Sequence, residues 1–343
     1  MATASASSLT LRPKAPALRE TEPARERKII VAEELGYCWG VRRALDIIQD
    51  AASPEHGIAP IGDIIHNPQV VGRLRRNGVI GAMSVDEAQM QGFSRVAITA
   101  HGYGPQLAEE ADEKGMELVD TTCPLVVKVQ RLAQKLVRQG YYLVVYGDSY
   151  HPEVKGVLAW ANTTKSCAAK HIEDLPWNAA RGETGEGKIV PPRKVAVVSQ
   201  TTKNIAELME FSNELQRMVM PEGGEYRLCN TICEPTTKRQ NALKTLADQV
   251  HLILAIGGKK SSNTARLAEV GNQQGVQSYH IESASDIQDE WLEALGDGNV
   301  GLTAGASTPD DVIEEIVTWL ADRGYIPPAG GIRPVDPDYV PAF

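Results

Sequence analysis

No stretch of this 343-residue sequence approaches the roughly 20 uninterrupted apolar residues that a membrane span requires. No secretory apolar region opens the chain either. Positive charge is in short supply. Lys and Arg number 35 against 44 Asp and Glu, a formal charge of −9, which excludes a broad nucleic-acid or anionic-membrane surface, since both need clustered cations. An anionic small molecule stays within reach of a local site. Cysteine is scarce and odd in number, five in all. That excludes a disulfide framework and points to a reducing compartment with reactive or metal-bound thiols. Also absent are the close Cys/His pairs of zinc sites, the Cys-x-x-Cys-x-x-Cys run of ferredoxins and a Gly-x-x-x-x-Gly-Lys-Ser/Thr phosphate loop.

What is present is length enough for several domains and a hydrophobic share of 42%, sufficient for packed cores. From Lys28 onward short β-rich runs alternate with helical patterns, which predicts an α/β fold with mostly parallel sheets. The run "RVAITAHGYGP" is a strand entering a glycine-rich turn. "MELVDTTCPLVVKVQRLAQKLVRQG" is a strand, a Cys-Pro turn and a strong helix ended by Gly140. The same scheme recurs to residue 325, with Pro309 expected in a first helical turn. We expect three pseudo-repeated modules at 28–122, 123–230 and 231–325, with a tail over 326–343 and a surface loop over 178–193. Residues 1–27 are Ala/Ser-rich with no acid before Glu20, faintly like an organelle transit segment. They lack amphipathic periodicity, which favours a disordered extension of a cytoplasmic bacterial protein over a plastid signal.

Nearly every polar candidate lies at the carboxyl end of a strand, where open α/β sheets place ligands. Cys38, Cys123 and Cys233 occupy equivalent strand-to-helix turns at module-sized intervals, and Cys38 is bracketed by Gly36 and Gly40. A lone cysteine is usually a packing residue. Three in matched turns are a poor packing pattern, and a helix N-terminus is expected to favour the thiolate. Cys229 ends a strand and reads as inward-packed. Three thiolates from three modules could hold an iron–sulfur cubane, leaving one iron free to act as a Lewis acid while the cluster supplies electrons. His66, His101 and His151 stand at strand ends, and "SSNTARL" (Ser261, Ser262, Asn263) and "GASTPDD" (Ser307) sit where helix N-termini favour phosphate. As structure alone these hydroxyls are N-caps. Glu153 reads either as a favourable first-turn carboxylate or as a proton donor relayed by Thr201 or Thr202.

Together "GYCWGV", "IIHNPQVV", "TAHGYG", "DTTCPLVVKV", "HPEVKG", "SQTT", "NTICEPTTKRQ", "KKSSNTARL" and "TAGASTPD" resemble the 4-hydroxy-3-methylbut-2-enyl diphosphate reductases, the IspH/LytB family. The resemblance runs from about Lys28 to Tyr325. It implies a three-module α/β protein around one central 4Fe–4S cluster held by Cys38, Cys123 and Cys233. It implies the last step of the non-mevalonate isoprenoid route, giving isopentenyl and dimethylallyl diphosphates with the substrate hydroxyl on the iron lacking a protein ligand. His66, His101, Ser261, Ser262, Asn263 and Ser307 would cradle the diphosphate, with His151 at its edge. Glu153 would be the proton source and Thr201 would position the alcohol. The expected partners are the allylic diphosphate and a ferredoxin or flavodoxin, with no nucleic acid and no membrane. The chain differs from the family's usual pattern at Tyr37, Trp39 and "GDSYHPE", none of which changes a ligand or an acid.

Two other readings are weaker. His151-Pro152-Glu153 matches half of a zinc deaminase signature, but the Pro-Cys-x-x-Cys half is missing. An iron–sulfur sensor needs neither a diphosphate cradle nor an embedded acid, and usually carries a basic DNA-binding face.

Overall fold

The computed structural model describes residues 26–52, 57–177 and 191–332. Nearly all of the expected extension, most of the 178–193 loop and the end of the tail lie outside the described residues. The chain enters with β1 (Ile29–Val31). Next come β2 (Ala59–Pro60), β3 (Arg95–Ile98) and β4 (Glu117–Asp120), which form one sheet in that order. A second sheet contains β5 (Tyr142–Tyr146), β6 (Ser166–Ala169), β7 (Lys194–Ser199) and β8 (Glu225–Leu228), in the order β6-β5-β7-β8. The third contains β9 (Leu252–Ile256), β10 (Gln277–Ile281) and β11 (Val300–Ala304), and its order is β1-β11-β9-β10. Every pairing among them is parallel, so the expected α/β class with parallel sheets is met.

One plan underlies all three sheets. The second sheet orders its strands second, first, third, fourth. The third does the same when β1 counts as its last strand. In the first, Val79 and Ala82 bridge in parallel to Ile58 and Ile61, filling the place of a second strand beside β2. The expected first module put 28–122 together, whereas β1 pairs Ile29–Val31 with Val300–Leu302. The physical reason is the open edge of β11, which a short apolar strand covers. Lys28 bridges to Ile326, so the tail begins beside the same edge.

The helices show where the chain changes sheets. Trp39–Ala51 follows β1 but packs Ala44, Leu45 and Ile48 with Ile58, Ile65 and Ala97 of the first unit. Pro124–Arg138 follows β4 but packs Val129, Ala133 and Leu136 against Leu143 and Val145 of the second. Glu234–Ala247 follows β8 but packs Leu243 and Leu246 with Ile253 and Ala255 of the third. Each unit therefore hands the chain on to the next after its fourth strand, and the three crossovers are the turns at Cys38, Cys123 and Cys233. Pro309 is the N-cap of Asp310–Ala321, one residue before the first helical turn where it was expected. Among the described residues no helix is long and apolar enough to cross a membrane.

Candidate active site

Each of the three cysteines is an N-cap, yet none uses its side chain to cap the helix. The thiols face inward, that of Cys233 lying 3.1 Å from the Thr236 hydroxyl. Gly36 holds φ at +78°, which a residue with a Cβ adopts only under strain. Gly40 is needed for space, since a Cβ there would stand 2.5 Å from the Cys123 Sγ. These two requirements explain the glycines on either side of Cys38. Helix N-termini were expected to favour thiolates, but burial outweighs the dipole here. It pushes the Cys123 thiol up to about 12 and the Cys233 thiol up to about 11. A metal that binds such thiols must displace their protons.

Arg239, 1% exposed, ties two of these turns together. Its guanidinium donates to the Pro235 carbonyl at 3.1 Å and to the Gly36 carbonyl at 2.8 Å. It thus links the helix behind Cys233 to the turn before Cys38 and adds a buried positive charge beside them. Sequence reading missed it, although it lies within the quoted "NTICEPTTKRQ". The only signal was an arginine at the sixth position of a helix, between the polar Lys238 and Gln240.

The three histidines meet ring to ring. His66 and His101 stack with centroids 4.1 Å apart, and His151 stands edge-on to both at 5.5 Å. Burial lowers all three below the ordinary imidazole range, His151 to about 4 and His101 well below, with repulsion from neighbouring rings adding to the effect at His101 and His151. The rings are neutral at pH 7. His66 comes from the turn before the Pro68–Arg76 helix, His101 follows β3, and His151 caps Pro152–Ala161 by accepting the Glu153 N–H at 3.1 Å. Ser261 caps Ser262–Gln273, and Asn263 in its first turn is 5% exposed with neither amide atom partnered. The His66 Nδ1 is likewise buried without a partner. A buried polar group left unmatched costs about 1–3 kcal/mol, so these atoms point to a polar ligand. Ser307 lies in the turn after β11, its hydroxyl 3.4 Å from the His66 carbonyl.

Glu153 is 2% exposed. Its carboxylate accepts the Thr201 N–H at 2.6 Å and the Thr201 hydroxyl at 2.9 Å. Burial raises its pKa to about 7, against the opposing pull of the two Thr201 bonds and of Lys203. An acid near 7 is both available and willing to give up its proton at neutral pH. Thr202 donates to the Ser262 hydroxyl at 3.3 Å, so the relay residues divide: Thr201 serves Glu153 and Thr202 reaches across to the serines. Lys203, also unforeseen, is 6% exposed, and its charge weighs on both His151 and Glu153.

All of the candidates line one cavity of about 110 Å³, together with Ala306 and Thr236. The structure brings together every expected site residue: Cys38, Cys123, Cys233, His66, His101, His151, Glu153, Thr201, Ser261, Ser262, Asn263 and Ser307. Cys167 and Cys229 stand apart, packed against the cores of the second unit. The three thiols face the cavity without converging on a point. Among the described residues no trio of His, Cys, Asp or Glu side chains is grouped tightly enough to hold a single metal ion. Three soft donors facing a shared space, with Gly40 keeping that space clear beside Cys123, are the ligand type that iron–sulfur groups take.

A model of the family described as LytB protein matches residues 29–321. Several bacterial proteins named 4-hydroxy-3-methylbut-2-enyl diphosphate reductase are similar along nearly their whole length. The one from Dehalococcoides mccartyi strain CBDB1 is 36% identical over 296 residues, covering 85% of this chain and 97% of the relative. That from Aquifex aeolicus is 36% identical over 297 residues, covering 86% and 96%. That from Geobacter sulfurreducens is 38% identical over 295 residues, covering 86% and 97%. A solved (E)-4-hydroxy-3-methyl-but-2-enyl diphosphate reductase, described as the terminal enzyme of the non-mevalonate pathway, aligns with a TM-score of 0.59 at 34% identity, over 86% of this chain and 99% of its own. The Plasmodium falciparum structure titled E-1-hydroxy-2-methyl-but-2-enyl-4-diphosphate reductase aligns with a TM-score of 0.75 over 92% of this chain and 96% of its own. At 22% identity it speaks for the fold alone.

Proposed function

The chain belongs to the LytB protein family, and from that membership we infer the roles of its site residues. The reaction is the reductive dehydroxylation of 4-hydroxy-3-methylbut-2-enyl diphosphate, the terminal step of the non-mevalonate pathway. The allylic C–O bond breaks, the oxygen leaves as water, and two electrons and two protons are consumed. Protonation at either end of the allyl unit gives isopentenyl or dimethylallyl diphosphate.

Cys38, Cys123 and Cys233 would hold one 4Fe–4S cluster. Bound there, the cluster supplies electrons and a Lewis-acidic iron. The protein's own groups do the rest. Asn263, Ser261, Ser262 and Ser307 donate to the diphosphate at a helix N-terminus. His66, His101 and His151, neutral in the free site, take up protons against its negative charge. Thr201 orients the Glu153 carboxyl and positions the substrate alcohol. Glu153 donates a proton to the departing oxygen, so that water and not hydroxide leaves. The observation that carries this reading is a single cavity lined by three thiols that cap no helix, by an unpartnered Asn263 and by a carboxylic acid of pKa about 7.

The test is direct. Protein prepared without oxygen is mixed with the diphosphate substrate and a viologen reductant, and the two isomeric products are measured. Absence of both products with an intact cluster spectrum overturns the reading. A ferredoxin or flavodoxin would deliver electrons in the cell, and the compartment we propose is the bacterial cytoplasm. We also propose that each module is one sheet with its helices, the third completed by β1.

A further inference from the structure

The Pro124–Arg138 helix contains no acidic residue, in a chain whose net charge is −9. Its Lys128, Arg131, Lys135 and Arg138 fall at intervals of three and four, which places them on one face. All four are exposed, while Val129, Ala133 and Leu136 bury the opposite face. Among the described residues none of the four is in an ion pair. Isolated surface cations are ordinary. An unbroken stripe of four without a compensating acid on its own helix is not, because helix surfaces usually alternate signs and gain from i,i+4 pairs.

The stripe begins at the active site. A surface groove of about 480 Å³ is lined by Arg43, Asp120, Thr122, Pro124, Val127, Lys128 and Arg131. Arg43 donates to the Thr122 carbonyl at 3.2 Å. Thr122 and Pro124 thus line the groove, while Cys123 between them lines the catalytic cavity. One turn of backbone separates the basic groove from a thiol of the proposed cluster. Asp120 is the groove's one acid, and its carboxylate is engaged by the Thr122 N–H at 2.8 Å. At its far end the stripe meets exposed Arg227, which donates to the Gln139 side chain at 3.1 Å.

We propose that this groove and stripe are the docking surface for a small acidic iron–sulfur electron carrier, seated over the Cys123 turn. The assignment rests on the reductase reading of the cavity. Each turnover needs two electrons, and a one-electron carrier must visit twice, being oxidised by one electron each time. Electron transfer falls steeply with distance, and here Thr122 and Pro124, the residues on either side of Cys123, line the groove. An acidic carrier is repelled by most of this acidic chain and attracted here, which steers its encounters and fixes their orientation. A nucleic acid would meet the same charges, but the stripe is confined to one helix and abuts a redox site.

The test uses the full-length cluster-loaded protein, an acidic plant-type 2Fe–2S ferredoxin with its reductase and NADPH, and the double variant Lys128→Glu/Arg131→Glu. Calorimetric titration of oxidised ferredoxin at low salt should show binding at least tenfold weaker in the variant. Wild-type affinity should fall with added salt, and the variant's should barely respond. Ferredoxin-driven turnover should fall by a similar factor, while viologen-driven turnover and the cluster absorbance stay at wild-type levels. Should the charge reversal disturb the fold, Lys128→Gln/Arg131→Gln provides a milder version with the same expected order of effects. Unchanged ferredoxin affinity and unchanged ferredoxin-driven rate would overturn the proposal. So would an equal loss of both rates, or a short RNA duplex that competes at the stripe while ferredoxin does not. A wild-type protein that binds ferredoxin through the stripe yet reduces no substrate with viologen would overturn the reductase reading and leave the docking surface standing.

Discussion

Replacing Glu153 by glutamine separates chemistry from structure at this site. The amide keeps the side chain's size, can accept the Thr201 N–H, and can exchange hydrogen bonds with the Thr201 hydroxyl, so binding and fold should survive. What it loses is the proton. General acids typically contribute about 10²–10⁴-fold to rate, and single-turnover reduction with a viologen donor should slow by about that factor. Stability gives a second, opposite signature. The folded pKa of about 7 lies above the ordinary value of 4.5, so between those values the folded state binds more protons than the unfolded one. The contribution of Glu153 to stability is therefore fully present below pH 4.5 and lost as pH rises through 7. The shift corresponds to about 3 kcal/mol. Glu153→Gln should remove that loss: urea unfolding should find the variant at least as stable as the parent at pH 8, and relatively less favoured at pH 5. A variant that reduces substrate at half the parental rate or better, with its cluster intact, would refute the assignment and reduce Glu153 to a helix-start carboxylate.

The remaining expectations concern metal, anion and proton. Iron analysis of anaerobically purified protein should find about four irons per chain; Cys38→Ser, Cys123→Ser and Cys233→Ser should each lose most of them, whereas Cys167→Ser and Cys229→Ser should not. Retained iron in Cys123→Ser would sink the three-thiolate site. Asn263→Ala and His66→Ala should weaken diphosphate binding by roughly tenfold or more, since each removes a charge-assisted hydrogen bond of about 1.5–3 kcal/mol. Asn263→Ala should do so without loss of thermal stability, because its amide has no partner in the protein. Pyrophosphate binding at pH 7 should draw protons into the histidine trio, because the rings start neutral and an adjacent anion raises their pKa values. Calorimetry in two buffers of different ionisation enthalpy would read this directly, and identical heats would rule it out.

How much of this was written in the chain depends on whether the cause is local. The strand-to-helix turns at Cys38, Cys123 and Cys233 were legible because period-two and period-3.6 patterns switch there. The place of β1 was not. Parallel pairing between Ile29–Val31 and Val300–Leu302 joins segments at opposite ends of the chain, and nothing near Ile29 marks its partner. The raised thiol pKa values escaped for a similar reason. A helix N-terminus is visible in sequence, but the burial that overrides it is assembled from three units. Arg239 and Lys203 went unnoticed because arginine and lysine are normally solvated. Only the fold shows that one bridges two cysteine turns and the other bears on Glu153 and His151.

The sheet order gives these long-range facts one origin. When β1 counts as the fourth strand of the third unit, every unit ends on an edge strand and passes the chain to the next through a cysteine turn. All three crossover turns line one cavity, so the thiols share a space without any local motif holding them together. The same arithmetic places the carboxyl ends of β3, β7 and β11, with His101, Thr201 and Ser307 just beyond them, on that cavity. A cluster held by the three thiols, as proposed, would depend on all three turns at once. Its loss should therefore loosen the packing between units before it loosens any one sheet, and limited proteolysis of iron-depleted protein should cut first at the crossover turns near Cys38, Cys123 or Cys233. Cleavage beginning inside β5, β7 or β9 would contradict that order of events.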